Sequence, residues 1–246
     1  MEVHAHSHTP RKKWTHYLFE FLMLFLAVFC GFLAENQRDH YVEHQREKQY
    51  IRSMIEDLET DSTNTNKMLW TFKFIQRNCD SLLDDFGSTV KFYTVKSSRL
   101  FYRIINGYPD FIYSDRTMQQ LKNAGGLRLI RNKKAADSII YYDALVRDII
   151  REEETIDTYW SKLNEFANNF LSYRSFNEAR KTKTNEELEK EKLNFWIITD
   201  LKETDRLYNL VRYYNSLIRN YVQQLSGLKN NGTRLISLLN EQYYMK

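Results

Sequence analysis

One stretch decides most of what this chain can become. From Tyr17 to Ala34 it reads YLFEFLMLFLAVFCGFLA, with Glu20 as the one charged residue. Eighteen residues of helix rise about 27 Å, close to the hydrocarbon thickness of a bilayer. A helix that is apolar on every side suits a bilayer, where its backbone polar groups are satisfied internally. Residues 14–34 are therefore expected to cross a membrane. The alternative, a buried core helix of a soluble protein, leaves the flanks of the run unexplained.

Those flanks give an expected orientation. Arg11, Lys12 and Lys13 precede the run, and Trp14 and Tyr17 stand where amphipathic rings prefer the headgroup level. The first charges after it are mixed: Glu35, Arg38 and Asp39. The positive-inside rule then predicts a cytoplasmic tail over 1–13 and a translocated domain over 35–246. Cleavage after Ala34 would put Phe32 at the −3 position, and a lipoprotein-type site at Cys30 would follow Phe29. Neither provides the small residues a signal peptidase needs, so the segment is expected to remain as an anchor.

Two features inside the span carry alternatives. Glu20 is either a marker of an ion path or a carboxylate that snorkels to the headgroups near the basic flank. Ala27, Cys30, Gly31 and Ala34 share one helix face of small side chains, the kind that lets membrane helices approach closely. A homodimer or a membrane-protein partner is the expectation there.

Beyond the span, the shortage of chain breakers sets the class. The chain has 246 residues but only 2 Pro and 7 Gly, which argues against turn-rich sandwiches and barrels. The expected class is all-α: the transmembrane helix, then an elongated antiparallel helical bundle with an irregular cap region. The first helix is expected over 35–87. Its apolar positions include Ile51, Met54, Leu58, Phe72, Ile75 and Leu82, with a weak point at TDSTNTN (Thr60–Asn66) and an end at Gly87 and Ser88.

Residues 88–132 are the irregular cap, placed at one end of the bundle. A short strand at Thr89–Val95 and helices started by Ser97 or Ser98 and by Asp115 are expected within it. The second helix spans 133–175, with a seam from Ile139 to Phe170 interrupted by Glu153, read as a polar gap or a register pin. Residues 176–199 are an exposed charged linker. The third helix covers 200–245, started by Asp200 and Glu203. Abundant Tyr is expected to fill the seam while hydroxyls reach water at its edge.

Chemistry-bearing patterns are sparse. HYVEH (His40–His44) matches the inverted zinc-peptidase pattern, but no Glu lies between Glu59 and Glu152 to complete the ligand set. No catalytic, cofactor or metal residue is therefore expected. All six His precede residue 45, so the bundle has no imidazole for acid–base work. His4, His6 and His8 read as part of a polar tail. Cys30 and Cys79 are expected as unpaired thiols. Arg128, Arg131, Lys133 and Lys134 follow Gly125 and Gly126, a candidate anion-binding patch at a helix N-terminus, with a solvated basic face as the alternative. With 36 basic against 32 acidic residues, a net charge of +4 does not describe a nucleic-acid binder.

The blocks WTHYLFEFLMLFLAVFCGFLAENQRDHYVEHQREKQYIRSMIEDLETD and YSDRTMQQLKNAGGLRLIRNKKAADSIIYYDALVRDI resemble a domain-of-unknown-function family of bacterial single-span membrane proteins. The resemblance covers about a third of the chain and brings no catalytic residues with it. It implies a bacterial inner-membrane location and a periplasmic helical domain. The functional expectation is a membrane-anchored periplasmic interaction or scaffold protein. A ligand-sensing ectodomain with a separate signalling partner and an ectodomain hydrolase are the alternatives.

Overall fold

The protein is described by a computed structural model that covers residues 14–86, 94–123, 125–182, 184, 187, 195–198 and 200–243. It is an all-α structure. Helix α1 is Trp14–Phe86, α2 Val95–Ile105, α3 Arg116–Asn123, α4 Lys133–Phe170, α5 Tyr173–Thr182 and α6 Leu201–Tyr243, with a 3-10 turn at Gly126–Leu129. Two compact units share this chain, residues 1–49 and 50–246.

In the first unit, the apolar part of α1 is exposed on every side, and it is long and apolar enough to cross a membrane. No proline lies within α1, and Gly31 is its one glycine.

The second unit is a helical bundle whose directions can be read from its contacts. Asn132 meets Gln242 at 2.6 Å, Glu152 meets Asn220 at 3.2 Å, and the Tyr159 and Tyr213 rings lie 4.4 Å apart. As α4 ascends, α6 descends. The α1 segment pairs with α6 in the same opposed sense: Phe72 with Tyr221 at 4.8 Å, Asp80 with Asn215 at 2.7 Å, Phe86 with Tyr208 at 5.3 Å. So α1 and α4 run the same way, and the chain must travel back between them.

That return is made by residues 94–130, and here their position differs from the expected cap at one end. Phe101 packs on Phe166, Trp160 Nε1 donates to the Ile105 carbonyl, and Lys122 reaches Asp143 at 2.8 Å. On the other side, Tyr108 packs on Phe72 at 4.7 Å, and Gly126 lies close to the Tyr50 ring. The irregular region is a lengthwise fourth leg, antiparallel to α1 and α4. It is irregular because Gly107 holds φ +91°, Gly125 holds φ +61°, and Pro109 lacks an amide hydrogen.

Several local expectations change. Thr94, not Ser97 or Ser98, caps α2: its Oγ1 accepts from the Ser97 amide at 3.1 Å, and Ser97 Oγ accepts from the Thr94 amide at 3.0 Å. Val95 is helical, not strand; the rest of the expected strand, except Thr94, lies outside the described residues, as do Gly87 and Ser88. Residues Thr60–Asn66 stay helical, with Thr60 and Thr63 hydroxyls donating to the carbonyls four residues back. Helix α4 stops at Phe170, where Leu171 turns extended and bridges to Trp196.

The expected linker 176–199 is not simply exposed. Phe176, Phe195, Trp196 and Ile198 are buried, and they close the end of the bundle where α2 begins and α4 stops. Trp196 lies 5.2 Å from Phe101, and Phe176 lies 5.3 Å from both Tyr102 and Phe195. Of the charged stretch that suggested a linker, Ala179–Lys192, residues 183, 185, 186 and 188–192 lie outside the described residues. Apolar residues on either side of them form the aromatic end cap.

Candidate functional site

Within the first unit, Ala27, Cys30, Gly31 and Ala34 all lie exposed on α1, and a Cβ built at Gly31 would meet nothing within 4 Å. Phe21, Phe25 and Phe29 stack as a ladder, with centroids 6.4 and 5.9 Å apart. At about 100° per residue, the ladder lies roughly opposite the small face. This segment of α1 therefore has one bulky aromatic side and one side that admits close backbone approach. Trp14 is exposed and Tyr17 likewise, while Arg11, Lys12 and Lys13 lie outside the described residues. Cys30 is a free, exposed thiol. In the HYVEH motif, His44 Nδ1 lies 3.3 Å from Glu47 Oε2. Among the described residues, no group of three or more His, Cys, Asp or Glu side chains is placed to hold a metal ion.

In the second unit, the most organised polar feature is a row of carboxylates that serves the irregular leg. Residues 107–115 form neither helix nor strand, so their amides need partners from elsewhere. Glu153 Oε1 accepts from the Phe111 amide at 3.0 Å. Asp61 Oδ1 accepts from the Ser114 amide at 2.8 Å, and Asp57 Oδ2 from the Thr117 amide at 3.0 Å. Asp57 also holds Arg116 at 3.0 Å, and Asn64 donates to the Ile112 carbonyl at 3.1 Å. The expected register pin at Glu153 thus sits among residues that contact the leg, and the polar Thr60–Asn66 stretch supplies two more of them. Glu153, at an otherwise apolar seam position, signalled this contact in the sequence; Asp57 carried no such mark.

Electrostatics follow from burial. Desolvation pushes the Asp61 carboxyl up to about 6, against the lowering effect of the Ser114 and Tyr142 hydrogen bonds. Desolvation likewise pushes Glu153 up to about 7, with the Asp157 and Asp110 charges adding to it. Tyr108 donates its hydroxyl to Asp157. Tyr214 and Tyr221 depart from the expected pattern of hydroxyls at the wet edge. Both are fully buried, and their hydroxyls meet no hydrogen-bond partner among the described residues. Burial raises both phenols well above the usual range, so they stay neutral. It does the same to the Cys79 thiol, which makes it a packing residue and not a nucleophile.

The four residues of the expected anion patch, Arg128, Arg131, Lys133 and Lys134, are all exposed. Gly125 and Gly126 lead into the 3-10 turn, not directly into α4. At the N-terminus of α4, the Asn132 side chain accepts from the Ala135 amide at 3.1 Å, occupying a donor that an anion would use. The patch is a basic surface around a helix start that already has its cap.

A cleft of about 420 Å³ lies between α1, α2 and α5. Trp70 and Phe74 of α1 form one wall, with rings stacked at 6.1 Å and 6°. Tyr102, Arg99 and Arg103 of α2 form the other, and Asn106 and Gly107 close its end. Sequence reading did not find this cleft. Trp70 lies off the apolar stripe of α1, but an isolated surface aromatic carries little information without its neighbours.

No family model matches the chain, and neither a curated protein nor a solved structure matches it.

Proposed function

We propose that this protein is a single-pass membrane protein of the bacterial inner membrane whose helical bundle acts as an interaction or scaffold module on the periplasmic side. One observation carries the reading: the apolar segment of α1 is exposed on all sides, while the bundle of residues 50–246 has its own core. Such a segment in water would present a continuous apolar surface, which membrane insertion removes. Arg11, Lys12 and Lys13 support an orientation with the N-terminus in the cytoplasm. The resemblance to bacterial single-span proteins supports the location. The small face opposite the phenylalanine ladder supports close approach of a second span, in a homodimer or with a membrane-protein partner.

The bundle's raised carboxylates, Asp61 and Glu153, accept backbone amides of the leg and are engaged in holding the fold.

The test is crosslinking with mass spectrometry on native membranes, together with reporter fusions at the two ends of the chain. Resistance to alkaline extraction, an exported C-terminal reporter and crosslinks to a defined partner or second copy are the expected results. Release by alkali, or a C-terminal reporter active only in the cytoplasm, overturns the anchoring or its orientation. A bundle crosslinked to nothing overturns the interaction role.

A further inference from the structure

We propose that the cleft between α1, α2 and α5 binds a small anionic ligand with a flat apolar body, a carboxylate or a phosphate ester. The flat body lies on the Trp70–Phe74 platform, and Arg103 takes the anion.

The platform is the first observation. Trp70 is 69% exposed, yet its ring is held nearly parallel to that of Phe74. Two stacked aromatic rings on an otherwise polar helix face offer a planar apolar surface to solvent. A planar ligand covers such a surface at little cost in side-chain ordering, because the rings are already aligned.

Charge is the second. The cleft lining contains two arginines and no acidic residue. Arg103 forms no ion pair among the described residues, whereas Arg116 and Arg147 are each paired with a carboxylate. Two other clefts of the bundle lack this asymmetry. The one beside Tyr141 carries Asp148 and Glu152 with Arg151, and the one beside Tyr159 carries Glu203 and Asp205 with its basic residues. A guanidinium beside an aromatic wall suits an anion on a flat body, since its planar fork matches carboxylate and phosphate geometry.

Size is the third. A volume of about 420 Å³ falls in the range of small-molecule sites, and the lining mixes aromatic surface with a few polar groups, here Thr71, Asn106 and the arginines. The geometry leaves one side open, so the ligand enters without unfolding any element.

The experiment uses the full chain in nanodiscs of zwitterionic lipid. It measures calorimetric binding of 2-naphthoate, 2-naphthyl phosphate and the neutral 2-naphthylmethanol, with empty nanodiscs as the baseline. The two anions are expected to bind at least about tenfold more tightly than the alcohol, the size of one charge-assisted contact. The tighter of the two identifies the anion class. Arg103→Gln reduces that preference, Arg103→Lys restores part of it, and Trp70→Ala weakens all three probes. Both side chains are exposed, so unchanged thermal unfolding is expected in each variant. The proposal is overturned if no probe binds above the baseline, if anion and alcohol bind alike, or if the preference survives unchanged in Arg103→Gln. Binding unaffected by Trp70→Ala overturns the platform.

Discussion

The Glu153 carboxylate of α4 accepts the backbone amide of Phe111 at 3.0 Å, tying the irregular leg to the helix beside it. This contact and its counterpart at Asp61 give the bundle a pH dependence of unusual sign. Burial raises Asp61 from 3.8 to about 6 and Glu153 from 4.5 to about 7. Below about pH 3 both groups are protonated in the folded and unfolded chain alike. Between there and about pH 8, the folded chain keeps protons that the unfolded chain has released, so stability falls as pH rises. Above that window both states are ionised and the cost is complete. Denaturant unfolding in mild detergent is expected to show greater stability near pH 5 than near pH 8 from these two sites. Glu153→Gln, which keeps an acceptor for Phe111, should flatten that slope. A variant with the same slope as the parent would show that Glu153 does not contribute.

The two glycines of α6 should respond in opposite directions. A Cβ at Gly232 would sit 3.3 Å from the Tyr142 ring, whereas one at Gly227 would meet nothing within 4 Å. Gly227→Ala is expected to stabilise the bundle by about 0.5–1 kcal/mol through helix propensity and lost unfolded-state freedom. Gly232→Val should instead cost about 1–3 kcal/mol by forcing Tyr142 aside. Tyr142 also donates to Asp61 at 3.2 Å, so that variant disturbs the leg as well. Chemical denaturation of the two variants side by side checks both signs.

Trp196 should prove to be a core residue in spite of its charged neighbourhood in sequence. It is 4% exposed, packs on Phe101 and donates Nε1 to Ser97 Oγ at 3.3 Å. Trp196→Ala is expected to cost about 3–5 kcal/mol, the range for a large buried aromatic. Hydrogen exchange should rise first in α2, whose capping box includes Ser97. Parent-like stability and protection would show that the aromatic end cap does not hold α2.

In the apolar segment of α1, Gly31→Leu fills the small face and, if the proposed span associates through that face, should weaken association in a membrane reporter assay. The change Phe25→Leu on the opposite ladder should leave it nearly unchanged. Equal responses to the two changes would place the contact elsewhere on the helix.

The sequence alone contained the information that has short range. The apolar span, the three long helices and the irregular character of 94–132 follow from local composition, helical period and the placement of Pro and Gly. These signals are local because helix formation and membrane insertion depend on contiguous residues. Glu153 was legible as an anomaly for the same reason, as a charge at an apolar seam position. What it touches was not, because its partner Phe111 lies 42 residues away in sequence.

Tertiary structure decided the rest. It turned the expected end cap into a lengthwise leg, because α1 and α4 both pack antiparallel to α6 and the chain has to return between them. It made an end cap from residues flanking a charged stretch, because Phe176 and Trp196 find Tyr102 and Phe101 only once α2 is in place. It also set Trp70, Phe74 and Arg103 around one cleft, although they come from helices that no periodicity relates. Period and composition determine which residues form an element and which face is apolar; which faces meet is fixed by packing many side chains at once, and that information is not held in any one segment.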